Sequence, residues 1–368
     1  MYVNIIIHYR ITTGDQYVSG LVAKVADGAL VKDCVNNAEV MITSKSKDIK
    51  YLYVGGCVSE HKGHLENVVN AGKVTVAAGV APTTRLCVGG VAALYTSGSL
   101  SGVKNASKVS VAGGTTAASG VFNFIGGVIG YNNVANLDNT MLSNTSDSSV
   151  EYTVVSTALS PGGVVGYNTV KEGKLTGLVN NASVNVTFPA GIIAKTDIKI
   201  GGVAGYSYYS GVTELICENC VNKGDITTVG KLSATDAMKS GVQIGGILGR
   251  CQITGSADGI HMVMTKCSNE GNITMNESDG STYNFVGGVI GTYSVVSTTI
   301  SDCSNSGNII KNGNSTVAMF MGGIVGNIYR DAASASSISR CVNTGKIGVY
   351  DASSVAEVAA GGIIGNAS

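Results

Sequence analysis

"CSNSGNII" occupies Cys303–Ile310, "CSNEGNIT" Cys267–Thr274 and "CVNTGKIG" Cys341–Gly348. The copies agree in every second letter and vary between. A period of two belongs to a β-strand, whose successive side chains point to opposite faces. Cys, Asn, Gly and Ile therefore share one face, and the Ser, Glu, Lys and Thr between them face water. Three residues before the Cys stands an apolar residue, as in Met264, Ile300 and Ile338. That step of three interrupts the alternation and predicts a bend.

The phrase runs through the whole chain. Its Cys slot is filled by Cys34, Val68, Val103, Leu137, Leu178, Cys220, Cys267, Cys303 and Cys341. Two residues later Asn recurs every time: Asn36, Asn70, Asn105, Asn139, Asn180, Asn222, Asn269, Asn305 and Asn343. The next alternate positions are small and then Val or Ile, except in the fourth copy, which carries Met141 and Ser143. A second anchor alternates with the first. It is a Gly pair in an apolar run, as in "IGGVIG" and "IGGILG", with first glycines at Gly55, Gly89, Gly126, Gly162, Gly201, Gly245, Gly287, Gly322 and Gly361. "VSGLVA" at Val18 reads as a degenerate tenth copy.

Cys slots lie 34 to 47 residues apart, with 19 to 25 residues from each slot to the next Gly pair and 11 to 22 from the pair to the next slot. A near-constant arc and a variable arc describe a coil with its loops on one side. The predicted fold is all-β: a single elongated parallel β-helix (β-solenoid) of about ten coils, one repeat per coil. At about 4.8 Å per stacked strand the rod is on the order of 50 Å long. Residues 1–17 read as an N-terminal strand, cap or remnant of a preceding coil, and 18–368 as the repeat domain, continuing beyond this piece. Stacking places Asn on Asn, so each amide can donate to the next and satisfy a buried polar group.

Composition excludes several classes. The chain of 368 residues has 51 Gly, no Trp and 13% charged residues, against roughly 25% charged in typical soluble domains. Its formal net charge is zero, without the basic footprint of a nucleic-acid binder. No apolar run reaches the ~18 residues of a membrane helix, and "MYVNIIIHYR" makes a poor signal peptide.

The paired phrases "GGVIG" and "CSNSGNI" resemble the GLUG-type repeats of large bacterial surface proteins, with similar glycine-rich repeats in surface proteins of anaerobic protists. The resemblance spans about Val18 to Gly365 and implies stalk, spacer or adhesive roles. Some bacterial immunoglobulin-A proteases carry similar repeats beside a zinc-protease domain, but this chain has no H-E-x-x-H to support that activity.

Few residues suggest chemistry. Cys217 and Cys220 form a C-x-x-C, yet a structural zinc site wants a second pair, and the repeat explains both as apolar fillers. The nine Cys read as free thiols. His61 and His64 in "EHKGHLE" could ligate a metal with a third group, and exposed loop histidines explain them as well. The acids are scattered, whereas a glycan-cleaving solenoid needs carboxylates at stacked positions. Tyr131, Tyr167 and Tyr206 each lie five residues after a first glycine. A row of rings could stack on sugars or a protein partner; the competing reading is self-stacking.

The sequence therefore points to a non-catalytic scaffold of a surface or secreted protein, adhesive or spacing, with no catalytic residue, metal or cofactor. Its expected partners are a glycan or a host or cell-surface protein, with no nucleic acid and no membrane span. Two alternatives stand beside it: a polysaccharide-active β-helix enzyme with a loop-borne site, and a structural filament assembling end to end.

Overall fold

The computed structural model describes residues 5–7, 14–43, 49–114, 122–134, 136–138, 140–154, 159–169, 173–192, 197–210, 214–232, 241–254, 261–277, 283–295, 297–329 and 335–367. Their regular elements are all strands, without a helix, and every strand pair is parallel. One coil shows the path. Ile226–Gly230 lies in sheet A, Val242–Gly245 in sheet B and Leu248–Thr254 in sheet C. The short strands His261–Thr265 and Ser268–Asn269 then return the chain to sheet A.

Sheets A, B and C hold ten strands each, stacked in chain order, which gives a rod of roughly 45 Å. About eight complete coils lie between the terminal ones. The expected ten counts two Gly corners that belong to end coils stacked on one side only. Ile5–Ile7 pairs in register with Val40–Ile42 and so joins sheet A as its first strand.

The fixed letters of the repeat face inward. Cys220, Asn222 and Ile226 are fully buried, as are Cys267, Asn269 and Ile273. The predicted bend is a single residue in the left-handed region. Asp33, Asn67, Gly102, Gly177, Asn219, Lys266, Asp302 and Arg340, each immediately before the Cys slot, have φ of 51° to 63°. Asn, Asp and Gly tolerate this conformation best. Outward side chains pair across coils: Arg340 is bidentate on Asp302 at 2.6 and 2.7 Å, and Lys32 meets Glu66 at 2.7 Å. Such exposed pairs add little to stability, because solvent screens them.

The amides form a ladder. Asn180 Nδ2 donates to Asn222 Oδ1, Asn222 to Asn269 and Asn269 to Asn305, each at 2.7 Å. The second amide hydrogen goes to the carbonyl two residues on: Asn222 to Gly224 at 2.8 Å and Asn269 to Gly271 at 2.7 Å. In Asn36 and Asn180 the Oδ1 also accepts the N–H two residues on, at 3.1 Å. These amides are satisfied without water, which a dry interior demands.

The ladder also explains the Gly pairs. A Cβ on Gly246 would sit 2.4 Å from Asn269 Cγ and 2.1 Å from Gly288 O. The ladder thus presses on the backbone of the second glycine and divides the interior. On one side sheets A and B enclose Val184, Ile200, Ile244 and Ile273. On the other, sheet C and the short strands enclose Ile247, Leu248, Met264 and Ile300.

One expectation is corrected. Asn139 lies outside the described residues, and the fourth ladder position belongs to Asn144, paired with Asn105 in register and donating to Asn180 at 2.6 Å. Leu137 fills the apolar slot before the bend, opposite Leu175, while Leu142 stacks on Val103 in the Cys slot. The two extra residues are taken up at Asp138, whose carboxylate accepts the N–H groups of Thr140 at 2.8 Å and Met141 at 3.1 Å. This Asx turn shifts the frame.

Replacing Asn144 by Ala should therefore cost ~1–3 kcal/mol, the penalty of stranding buried partners. Urea unfolding checks it; a midpoint equal to that of the unmodified chain would place Asn144 outside the ladder.

Candidate functional site

The Gly pair turns the chain so sharply that the outer faces of sheets B and C fold toward each other. A Cβ on Gly245 would lie 1.9 Å from Leu248 O, and one on Gly249 would lie 2.6 Å from Gly205 O and Ile200 N. Only glycine fits so close to the vertex in these coils. Further out the walls separate, and two rows of side chains meet across a corner that runs along the rod. Sheet B contributes the residue two before the first glycine, sheet C the residue five after it.

Tyr131, Tyr167 and Tyr206 occupy the sheet C row in direct register, with ring centroids 5.3 Å apart at both steps. They do not stand on a flat outer face. Tyr167 stacks on Phe124 of sheet B at 4.1 Å and 8°, with the Arg85 guanidinium 5.3 Å from the Tyr131 centroid. Tyr206 is 8% exposed, donates to Gln252 Oε1 at 2.8 Å and lies beneath Lys199 Nζ, 4.9 Å from its centroid. Burial raises all three phenols above their ordinary range. Tyr131 and Tyr167 stay half-buried, so this stretch offers ring edges rather than open faces.

The corner changes along its length. At the next coil the sheet C row switches to Arg250, bonded to Asp197 at 2.6 Å. Beyond it the row becomes Thr292, Asn327 and Asn366, smaller than Tyr. Sheet B keeps Phe285 and Phe320, paired in register and stacked at 5.5 Å and 24°. With large rings on one wall and small amides on the other, a cavity of about 230 Å³ opens, lined by Tyr283, Phe285, Phe320, Asn327, Tyr329 and Asn366. Of these, Tyr283, Phe285, Phe320 and Asn327 were not singled out from the sequence. The signal was present: Tyr53, Phe124, Phe285 and Phe320 all stand two residues before a first glycine.

The other candidates resolve into packing. Cys217, Cys220 and Cys267 bring three sulfurs within 4.8 Å of one another, Cys217 and Cys267 at 3.8 Å. Soft metals accept such sulfurs as thiolates. Hydrogen bonds among the three sulfurs hold the Cys217 and Cys267 thiols well above the usual range and Cys220 well below it. Cys217 stacks between Leu175 and Met264 as an apolar filler. All nine cysteines are free. His61 and His64 diverge: His61 is fully buried against Tyr95, ring centroids 5.0 Å apart, whereas His64 is exposed and meets Ser99 Oγ at 2.7 Å. The loop placement expected for His61 is corrected to the interior of sheet C.

The chain matches no family model, no curated protein and no solved structure in these comparisons.

His61 makes stability depend on pH. Burial lowers its pKa to about 4, against about 6.5 in an unfolded chain. Between those values the unfolded state binds the proton and the folded state does not, so stability is lost as pH falls from 6.5 towards 4, by up to about 3 kcal/mol. His61→Phe should flatten the slope of unfolding midpoint against pH in that window. An unchanged slope would assign the dependence to other groups.

Proposed function

We propose that the chain is a non-catalytic β-solenoid scaffold of a surface or secreted protein, acting as an adhesive or spacer module. The observation that carries this reading is an uninterrupted stack with an aromatic corner along its side. A stack held by an Asn ladder transmits load and fixes distance, which a spacer requires. A linear array of rings supplies many weak contacts, which suits adhesion through multiple copies. The resemblance of "GGVIG" and "CSNSGNI" to GLUG-type surface repeats supports the same reading, as does an extracellular setting. The partner is then a glycan or a cell-surface protein.

Beads coated with the chain should be retained on at least one surface of an array of immobilised polysaccharides and matrix proteins, releasing no reducing or unsaturated sugar ends. Changing Tyr131, Tyr167 and Tyr206 together to Ser should reduce retention severalfold if the middle of the corner contributes. Release of sugar ends, abolished by changing a single carboxylate, would replace this reading with that of a polysaccharide-active enzyme.

A further inference from the structure

The cavity in the last coils has two unlike walls. Tyr283, Phe285 and Phe320 present aromatic carbon, with Tyr329 set edge-on to Phe285 at 79°. Asn327 and Asn366 present amides, joined by a bond from Asn366 Nδ2 to Asn327 Oδ1 at 2.7 Å. Asn327 is fully buried, and its Nδ2 has no hydrogen-bond partner among the described residues. A buried amide donor without an acceptor is unfavourable, and an incoming acceptor recovers that penalty.

Three properties define what fits. The volume of about 230 Å³ falls below the ~300–1,000 Å³ of sites for drug-sized ligands, so the cavity takes one ring-sized group. None of the six lining side chains carries a formal charge, and the nearby Asp197 and Arg250 neutralise each other at 2.6 Å, so the group is neutral. Phe285, Phe320 and Asn327 lie on strands hydrogen-bonded to neighbours on both sides, so no peptide strand can join beside them. Recognition must come from side chains: an apolar face against rings and a hydroxyl fringe against amides. An ammonium group suits aromatic rings but brings no acceptor for Asn327.

We propose that the cleft formed by Tyr283, Phe285, Phe320 and Tyr329 binds one pyranose ring of a neutral glycan, its C–H face on the rings and its hydroxyls on Asn327 and Asn366. This inference rests on the adhesive reading and gives it a defined subsite. The Tyr206 end of the corner fills itself; the cleft opens where the Tyr row stops.

Saturation-transfer NMR with the methyl pyranosides of glucose, galactose, mannose and N-acetylglucosamine tests it on the full chain. At least one should show transfer strongest at the ring C–H protons. Tyr283 and Tyr329 are 42% and 41% exposed, so the double change Tyr283→Ala and Tyr329→Ala should keep the unfolding midpoint and weaken binding at least tenfold. Asn327→Leu, which retains bulk and loses the donor, should weaken it severalfold. Transfer that persists in the double variant would overturn the subsite and leave the adhesive reading standing. Transfer from none of the four sugars, with beads still retained on glycans, would likewise overturn the subsite alone. Retention only on proteins would overturn the sugar chemistry of the site, and retention on nothing would overturn the adhesive reading beneath it.

Discussion

The structure depends on one contact: a column of Asn side-chain amides pressed against the backbone of the second glycine in most of the Gly pairs, from Gly56 to Gly323. The amide is a thin plane with two donors and an acceptor that takes two bonds, which is what a narrow dry waist requires. It ties coil to coil through Nδ2 and Oδ1 and closes its own turn through the carbonyl two residues on, except at Asn144, whose second amide hydrogen goes to Gly163 O. Asp cannot donate and Gln is a methylene too long. The glycine opposite cannot gain a side chain, because a Cβ there meets Asn269 Cγ at 2.4 Å. Asn and Gly are therefore fixed together, although more than 20 residues separate Gly246 from Asn269.

From that waist the rest of the cross-section follows. Apolar residues fill the lobes on either side of it, so Val, Leu, Met and Cys interchange in the Cys slot at little cost. The tightness of the Gly corner brings the outer faces of sheets B and C together. Whatever side chains occupy the two facing rows must then fill the corner or leave a cleft. Large rings in both rows close it at Phe124 and Tyr167; Phe320 opposite Asn327 leaves it open.

Much of this was legible in the repeat. Period two identified the strands, their inward faces and the ladder, and the step of three located the bend now seen at Asn219 and Lys266. The fourth copy misled because a fixed-offset reading placed Asn139 in the ladder. Met141 and Ser143 broke the pattern there, and that break was the trace of the Asx turn at Asp138. Sixteen residues separate Gly126 from Leu142, against eleven from Gly126 to Leu137, which brings the coil closer to its neighbours. The corner was harder to see. Parity shows that Phe124 and Tyr167 both point outward, but not that two outward faces confront each other, since that depends on the angle at the glycines. His61 escaped for a related reason: the "EHKGHLE" stretch reads as a polar loop, whereas sheet C extends through His61 and turns it inward.

The central claim is that the Asn column needs a donor at every step. The most direct measurement compares Asn269→Asp with Ser268→Asp, its half-buried outward neighbour, in urea unfolding at pH 7. The account predicts that Asn269→Asp loses ~3–5 kcal/mol, because it buries an unpaired charge and removes the donation to Asn305, while Ser268→Asp shifts stability by less than about 1 kcal/mol. Equal effects at the two positions would contradict it.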